Sequence, residues 1–347
     1  MGSVDNPNGV YRKGDRGFPT QGEATNYWVD VLYTPAPPVV TPPVPTSLTH
    51  STVADFAPGS LKNAYLSPRG DGEITLAPKT TQEFSDTSTP DGWADKALIR
   101  GGKVKVAGGE ASIDGRLLRA QSRYATGRQV DLIATLKPSA GQWIGATDDD
   151  FAGILGQWVA FHTTVDGGLV AETDPGLTSA QTTALPATLL GAPHRYTIDW
   201  TSSAVVFAVD GVTVASHNRG VAANLRIAAK DSVLDSSSLV VDSAWLTPYA
   251  ASGTYTSAVV DAGATVDWKV LTPTASTPAG TALQYEVRTG PSATAGGAGW
   301  SAWAKVAALA DIPGTQRYLQ YRVTLTTTST RNAAPTLASL QLGYTKP

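Results

Sequence analysis

His194-Arg195-Tyr196-Thr197-Ile198-Asp199-Trp200 is followed, four residues later, by Val205-Val206-Phe207-Ala208-Val209-Asp210-Gly211-Val212-Thr213-Val214. Tyr196, Ile198 and Trp200 recur at a period of two, which puts all three rings and chains on one side of a strand. Asp210-Gly211 supplies the tight turn that sends the chain back antiparallel. One face of this hairpin is apolar, so it belongs against a second sheet.

Working outward, short β-prone runs recur on both sides between Gly, Pro, Asp and Ser turns. Among them are Gln129–Leu136, Gln142–Ala146, Trp158–Thr164, Gly168–Glu172, Leu225–Ala229 and Leu239–Leu246. No segment holds a helical 3.6-residue period over twelve residues. Eleven or more strands within residues 46–250 fit a two-sheet jelly-roll sandwich. Residues 251–347 carry six further runs and fit a smaller antiparallel β-sandwich; Tyr285-Glu286-Val287-Arg288 and Tyr318-Leu319-Gln320-Tyr321-Arg322-Val323 alternate there. Residues 35–45 read PAPPVVTPPVP, with six prolines, a spacer of polyproline II type at about 3.1 Å per residue. Ahead of it, residues 1–34 contain a strand-like run, Asn26–Tyr33, too short to bury a core alone. That segment must pack on a neighbour, pair with another chain, or be the end of a truncated domain. The expectation is an all-β protein of two sandwiches behind a linker and a terminal strand segment.

Composition narrows the function. The 347 residues include no cysteine, which excludes a disulfide scaffold, a thiolate metal site and a cysteine nucleophile. A net charge of −3 without a long basic run argues against nucleic acid. No run of apolar residues is long enough to span a membrane. Charged residues make up 16% of the chain, below the roughly 25% of ordinary globular domains. Met1-Gly2-Ser3 opens no leader, and the chain reads as part of a longer exported protein, secreted or held at the cell surface.

The hairpin at 194–214 resembles the H-x-Y-x-I-x-W … V-x-F-x-V-D-G hairpin of concanavalin A-like lectin/glucanase sandwiches, which include laminin G-like modules and family 16 glycoside hydrolases. The resemblance covers roughly residues 80–248. The tail, with Trp300-Ser301-Ala302-Trp303 and Arg317-Tyr318-Leu319-Gln320-Tyr321-Arg322, resembles an accessory β-sandwich of secreted bacterial glycan-active proteins. The head, around Gly17-Phe18-Pro19-Thr20 and Asn26-Tyr27-Trp28, is similar to the end of an exported bacterial β-sandwich domain of unknown function. These resemblances imply a polysaccharide or glycan partner, and an N-terminal segment that either pairs with the lectin-like block or adds as a strand to a second molecule, giving a homo-oligomer.

Catalysis finds little support. Family 16 hydrolases carry a Glu-x-Asp-x-(x)-Glu strand, whose retaining chemistry needs carboxyls about 5–5.5 Å apart. Glu73, Glu83, Glu110, Glu172 and Glu286 are scattered and form no such strand. Asp148-Asp149-Asp150 reads first as a solvated turn, next as contributing Asp148 and Asp150 to a calcium site on a bent loop, and last as a catalytic cluster. His50, His162, His194 and His217 show no zinc spacing; His162 reads as a hydrogen-bonded structural side chain. Arg69-Gly70-Asp71 spells an adhesion tripeptide but also makes a turn. Sugar binding is the better-motivated site. Aromatic platforms with placed polar groups suit pyranose rings, and the candidates are Trp143, Asp149, Gln157, Trp158 and Trp93. Each ring has a core alternative, favoured for Trp158 and level for Trp143 and Trp93. Trp300 and Trp303, three apart, are expected on opposite faces of a strand.

Overall fold

A computed structural model describes residues 9–11, 21–23 and 45–346. Among them the protein is almost entirely strand, with a one-turn α-helix at Val53–Phe56 and a short 3₁₀ turn at Ala187–Leu189. No helix among the described residues is long and apolar enough to cross a membrane. Within the first 43 residues, Gly9–Tyr11 pairs antiparallel with Gln21–Glu23. The expected run Asn26–Tyr33 and linker residues 35–44 lie outside the described residues, and so does the proposed N-terminal docking.

The remainder holds two sandwiches. The first is built from two antiparallel sheets. A seven-stranded sheet runs in the order Gln181–Leu185, Leu169–Asp174, Trp158–Thr163, Gln142–Thr147, Arg226–Asp231, Arg116–Ala120 and Trp93–Ala97. An eight-stranded sheet runs Val212–His217, Val205–Val209, His194–Trp200, Arg128–Thr135, Leu239–Leu246, Glu110–Asp114 and Lys103–Ala107, with Thr80–Gln82 also on Leu239–Leu246. The deciding hairpin forms as its pattern demands. Tyr196 and Ile198 are fully buried, and Trp200 is nearly so. Asp210 and Gly211 take φ of 51° and 80°, the left-handed pair of a type I′ turn. Phe161 joins the two sheets, with its ring centroid 4.9 Å from that of Tyr196 and 5.2 Å from that of Phe207. This is a jelly-roll core of interdigitated apolar chains.

The second sandwich corrects the expected boundary. Pro45–His50, Ser60–Lys62, Ala64–Ser67 and Glu73–Leu76 do not enter the first sandwich. They join a ten-stranded sheet with the C-terminal strands, Pro45–His50 against Thr336–Thr345, and Ser60–Lys62 against Ser252–Thr256. Leu48 lies opposite Leu342, and Ile74 opposite Leu337. The cause is core-filling: Phe56, Ile74 and Leu76 complete the same apolar cluster as Tyr255, Trp268, Tyr321 and Leu340.

A polar clasp joins the two sandwiches. Asp131, 1% exposed, takes hydrogen bonds from Arg69 Nη1 at 3.2 Å and from Arg195 Nη2 at 2.6 Å. Burial works against the Asp131 charge, but the two guanidiniums outweigh it and hold the carboxyl below its ordinary value. Arg69 stacks 3.6 Å over Trp245, whose indole nitrogen donates to Glu83 at 2.5 Å. The Arg69-Gly70-Asp71 turn therefore commits its arginine to an internal contact.

Candidate functional site

The outward face of the seven-stranded sheet gathers most of the residues singled out from the sequence. Strand alternation decides this. In Gln142–Thr147, Ile144 and Ala146 face the core, so Trp143 and Gly145 face out. The register places His162 and Lys230 on either side of Trp143, and Ala160 and Ala228 on either side of Gly145. Trp158 and Thr147 form the next row. The middle of this face is shallow, floored by Gly145 and two alanines.

The Asp148–Gln157 loop folds back over that floor. Phe151, 3% exposed, packs with Leu117, Trp158, Ala160 and Ala228. Its ring lies 5.5 Å from Trp143 in a stacked arrangement, and Trp158 meets Trp143 edge-on at 6.0 Å. The His162 ring lies parallel to Trp143 at 3.7 Å. Asp150 and Phe151 adopt φ of 60° and 54°, a left-handed pair that costs non-glycine residues roughly 1–2 kcal/mol each. Several contacts offset this strain. Thr147 Oγ1 accepts the Asp149 and Phe151 amides at 3.1 and 3.0 Å. The Asp150 carboxylate meets Lys96 at 2.8 Å and also pairs with Arg119. Burial disfavours the Asp150 charge, but the Lys96 hydrogen bond and the Arg119 charge outweigh it, so its pKa is lowered. Burial lowers the pKa of Lys230, whose ammonium reaches the Phe151 carbonyl at 3.3 Å.

The site's other acids come from the neighbouring strand. Glu172 accepts hydrogen bonds from Trp158 Nε1 at 2.8 Å, Thr182 Oγ1 at 3.0 Å and His162 Nε2 at 3.3 Å. Burial pushes this carboxyl up, and the hydrogen bonds from His162 and Trp158 bring it below its ordinary value. Asp174, two residues on and on the same face, is pushed up by burial with Glu172 adding to it. Glu172, Asp174 and Lys230 were missed from the sequence. Glu172-Thr173-Asp174 does supply a Glu-x-Asp alternation, but no second glutamate follows; Pro175, Gly176 and Leu177 stand there.

The structure thus brings Trp143, Asp149, Gln157 and Trp158 together round one loop. Asp149 is exposed and Gln157 half-buried. Trp93 is elsewhere. It lies opposite Ala120, packs on Phe84 at 5.7 Å and lines a small cavity of about 140 Å³. The calcium reading of Asp148 and Asp150 meets protein donors instead: Asp150 is ion-paired, and Asp148 Oδ1 accepts the Gln157 amide at 2.6 Å. Among the described residues no group of three His, Asp or Glu side chains is placed to hold a metal. Trp300 and Trp303 also differ from expectation. They precede the strand Ala304–Val306, so alternation does not apply, and Arg288 lies over both rings at 5.4 and 4.6 Å.

No family model and no curated protein matches the chain. Solved structures do resemble part of it. A glycosyl hydrolase family protein from Mycobacterium fortuitum is 11% identical, with a TM-score of 0.39, over 50% of this chain and 100% of that one. A β-1,3-1,4-glucanase (lichenase) from a mouse hindgut metagenome is 10% identical, TM-score 0.39, over 49% of this chain and 98% of its own. LamAcat from Zobellia galactanivorans is 12% identical, TM-score 0.37, over 50% and 97%. At such identities these likenesses assign no activity or substrate to this chain.

Proposed function

We propose that this chain is a non-catalytic carbohydrate-binding or surface-adhesion module of a secreted or cell-surface protein. A polysaccharide would meet the outer face of the seven-stranded sheet at the edge of Trp143, with Asp149 and Gln157 offering hydrogen bonds beside it. One observation carries this reading over hydrolysis: two carboxylates of the face, those of Asp150 and Glu172, are already held. Asp150 is ion-paired to Lys96 and Arg119, and Glu172 accepts three side-chain hydrogen bonds. A glycosidase needs one carboxyl free to attack or activate water and another free to give a proton. A polar-aromatic face whose Asp150 and Glu172 are held by donors of their own chain suits binding.

A second reading, a glycoside hydrolase or polysaccharide lyase, is favoured by Glu172 and Asp174. They share a face, and their pKa values are moved in opposite directions, as acid/base pairs require. Calorimetry against soluble plant and cell-wall polysaccharides, run beside a reducing-end assay, separates the two. Heat of binding that Trp143→Ala removes, with no new reducing ends, supports the module. The absence of heat for every glycan overturns it. Bond cleavage that Glu172→Gln abolishes would replace it with the hydrolase.

A further inference from the structure

A chamber lies where the two sandwiches meet, on the other sheet from the Trp143 face. Glu73 of the second sandwich, Gln129 and Arg195 of the first, and Tyr249 of the chain between them line one cavity of about 250 Å³. Strand alternation puts Gln129 and Arg195 there: Val130 and Tyr196 face the core, so their neighbours face out from the eight-stranded sheet. The volume falls just under the roughly 300–1,000 Å³ of drug-sized ligand sites, so the chamber admits one ring rather than a chain. Gly211 and Pro278 line it too and are exposed, so it opens to water. Its walls are fixed before any ligand arrives. The Tyr249 amide donates to the Arg331 carbonyl at 2.9 Å, the Ala250 amide to the Ala77 carbonyl at 2.8 Å, and Asp131 holds Arg195.

The polar groups of this chamber are unspent. Tyr249 is 3% exposed, yet its hydroxyl has no hydrogen-bond partner among the described residues. That oxygen is not sealed inside the protein either, so the surface it keeps is the surface it gives to the chamber. Burial, with the Asp131 charge adding to it, pushes the hydroxyl up, which keeps it a donor. The Glu73 carboxylate and the Gln129 side-chain amide also make no hydrogen bond or ion pair among the described residues. Burial pushes Glu73 up, and the Arg69 and Arg195 charges pull against it without touching it. An acceptor, a hydroxyl and an amide therefore converge with no partners of their own. The charges that reach Tyr249 balance, Asp131 and Glu73 against Arg69 and Arg195. An ion of either sign finds no excess of the other, and no group of three His, Asp or Glu side chains among the described residues is placed to hold a metal. A neutral ring that donates and accepts at several positions meets all three groups, and each hydroxyl of a sugar does both.

We propose that this chamber binds a single neutral hexose ring, its hydroxyls donating to Glu73 and exchanging hydrogen bonds with Tyr249 and Gln129. The site does not depend on the glycan reading of the Trp143 face. The test is calorimetry of the full chain with glucose, galactose and mannose in turn, on the parent, Tyr249→Phe and Glu73→Gln. At least one of the three sugars should bind, and each substitution should weaken it by at least about fivefold. Tyr249→Phe keeps the ring in the core and removes only an unpaired oxygen, so without sugar its Tm should stay within about 2 °C of the parent's or rise. No heat from any of the three sugars would overturn the proposal. So would heat that either variant leaves unchanged; the sugar would then sit elsewhere, and the reading of the Trp143 face would stand. A larger fall in Tm for Tyr249→Phe would overturn it as well, because the hydroxyl would then already serve the fold.

Discussion

Asp131→Asn tests how the two sandwiches are held. Asp131 is 1% exposed and accepts from two arginines. The asparagine keeps the shape and removes the charge, so two guanidiniums face a neutral amide. Removing one member of a buried ion cluster costs about 3–5 kcal/mol. The Arg195 side chain is 50% exposed and can turn to water, whereas that of Arg69 is 8% exposed and cannot. The lower end, about 3 kcal/mol, follows, and for a unit of this size it lowers Tm by roughly 6–12 °C. The sign with pH is fixed by the depressed Asp131 pKa. The contribution is full above the ordinary carboxyl value of about 3.9 and is lost as pH falls below it. Scanning calorimetry of both proteins at neutral pH and in acid measures the difference, which should shrink in acid. The double variant Arg69→Met, Asp131→Leu should recover most of the stability, because a packed apolar pair replaces an ionic one at little cost. A Tm change below about 2 °C at neutral pH, or one equally large in acid, would refute the argument.

Three further outcomes are expected. Gly145→Ala should destabilise by at least about 2 kcal/mol in urea titration, since φ is +149° and a Cβ would sit 2.2 Å from the Val159 carbonyl oxygen. Asp150→Asn should leave the sandwich folded but free the loop; limited proteolysis should then cut within residues 152–155, which are exposed, faster than in the parent. Trp143→Ala should weaken any glycan bound by the parent by at least about tenfold, and Trp93→Phe should leave affinity within about twofold, as calorimetry would show.

The local pattern of Tyr196, Ile198, Trp200 and Asp210-Gly211 was enough for the fold class, because strand period and turn chemistry are written in adjacent residues. The boundary at 46 was not legible. Leu48 opposite Leu342 is a pairing across most of the chain, and nothing near Leu48 distinguishes a strand of one sandwich from a strand of the other. Trp93 was level between core and platform for a related reason: its turn-rich surroundings do not show that the ladder to Ala120 sets it against Phe84. Trp143, Trp158, Asp149 and Gln157 were legible because one hairpin carries them all. Glu172, from the next hairpin strand, needed the register Ala160 opposite Glu172 to be seen as part of the same face.

The acids then sort by what they touch. Asp131, Asp150 and Glu172 are each surrounded by donors from their own chain. Such carboxylates tie strands and loops together, and a ligand would have to displace those donors before it could use them. Asp149 on one sheet and the Glu110–Asp242 pair on the other have no such donors among the described residues. A sequence of low charge that leaves two carboxylates facing each other on neighbouring strands keeps a repulsion that a single substitution could remove.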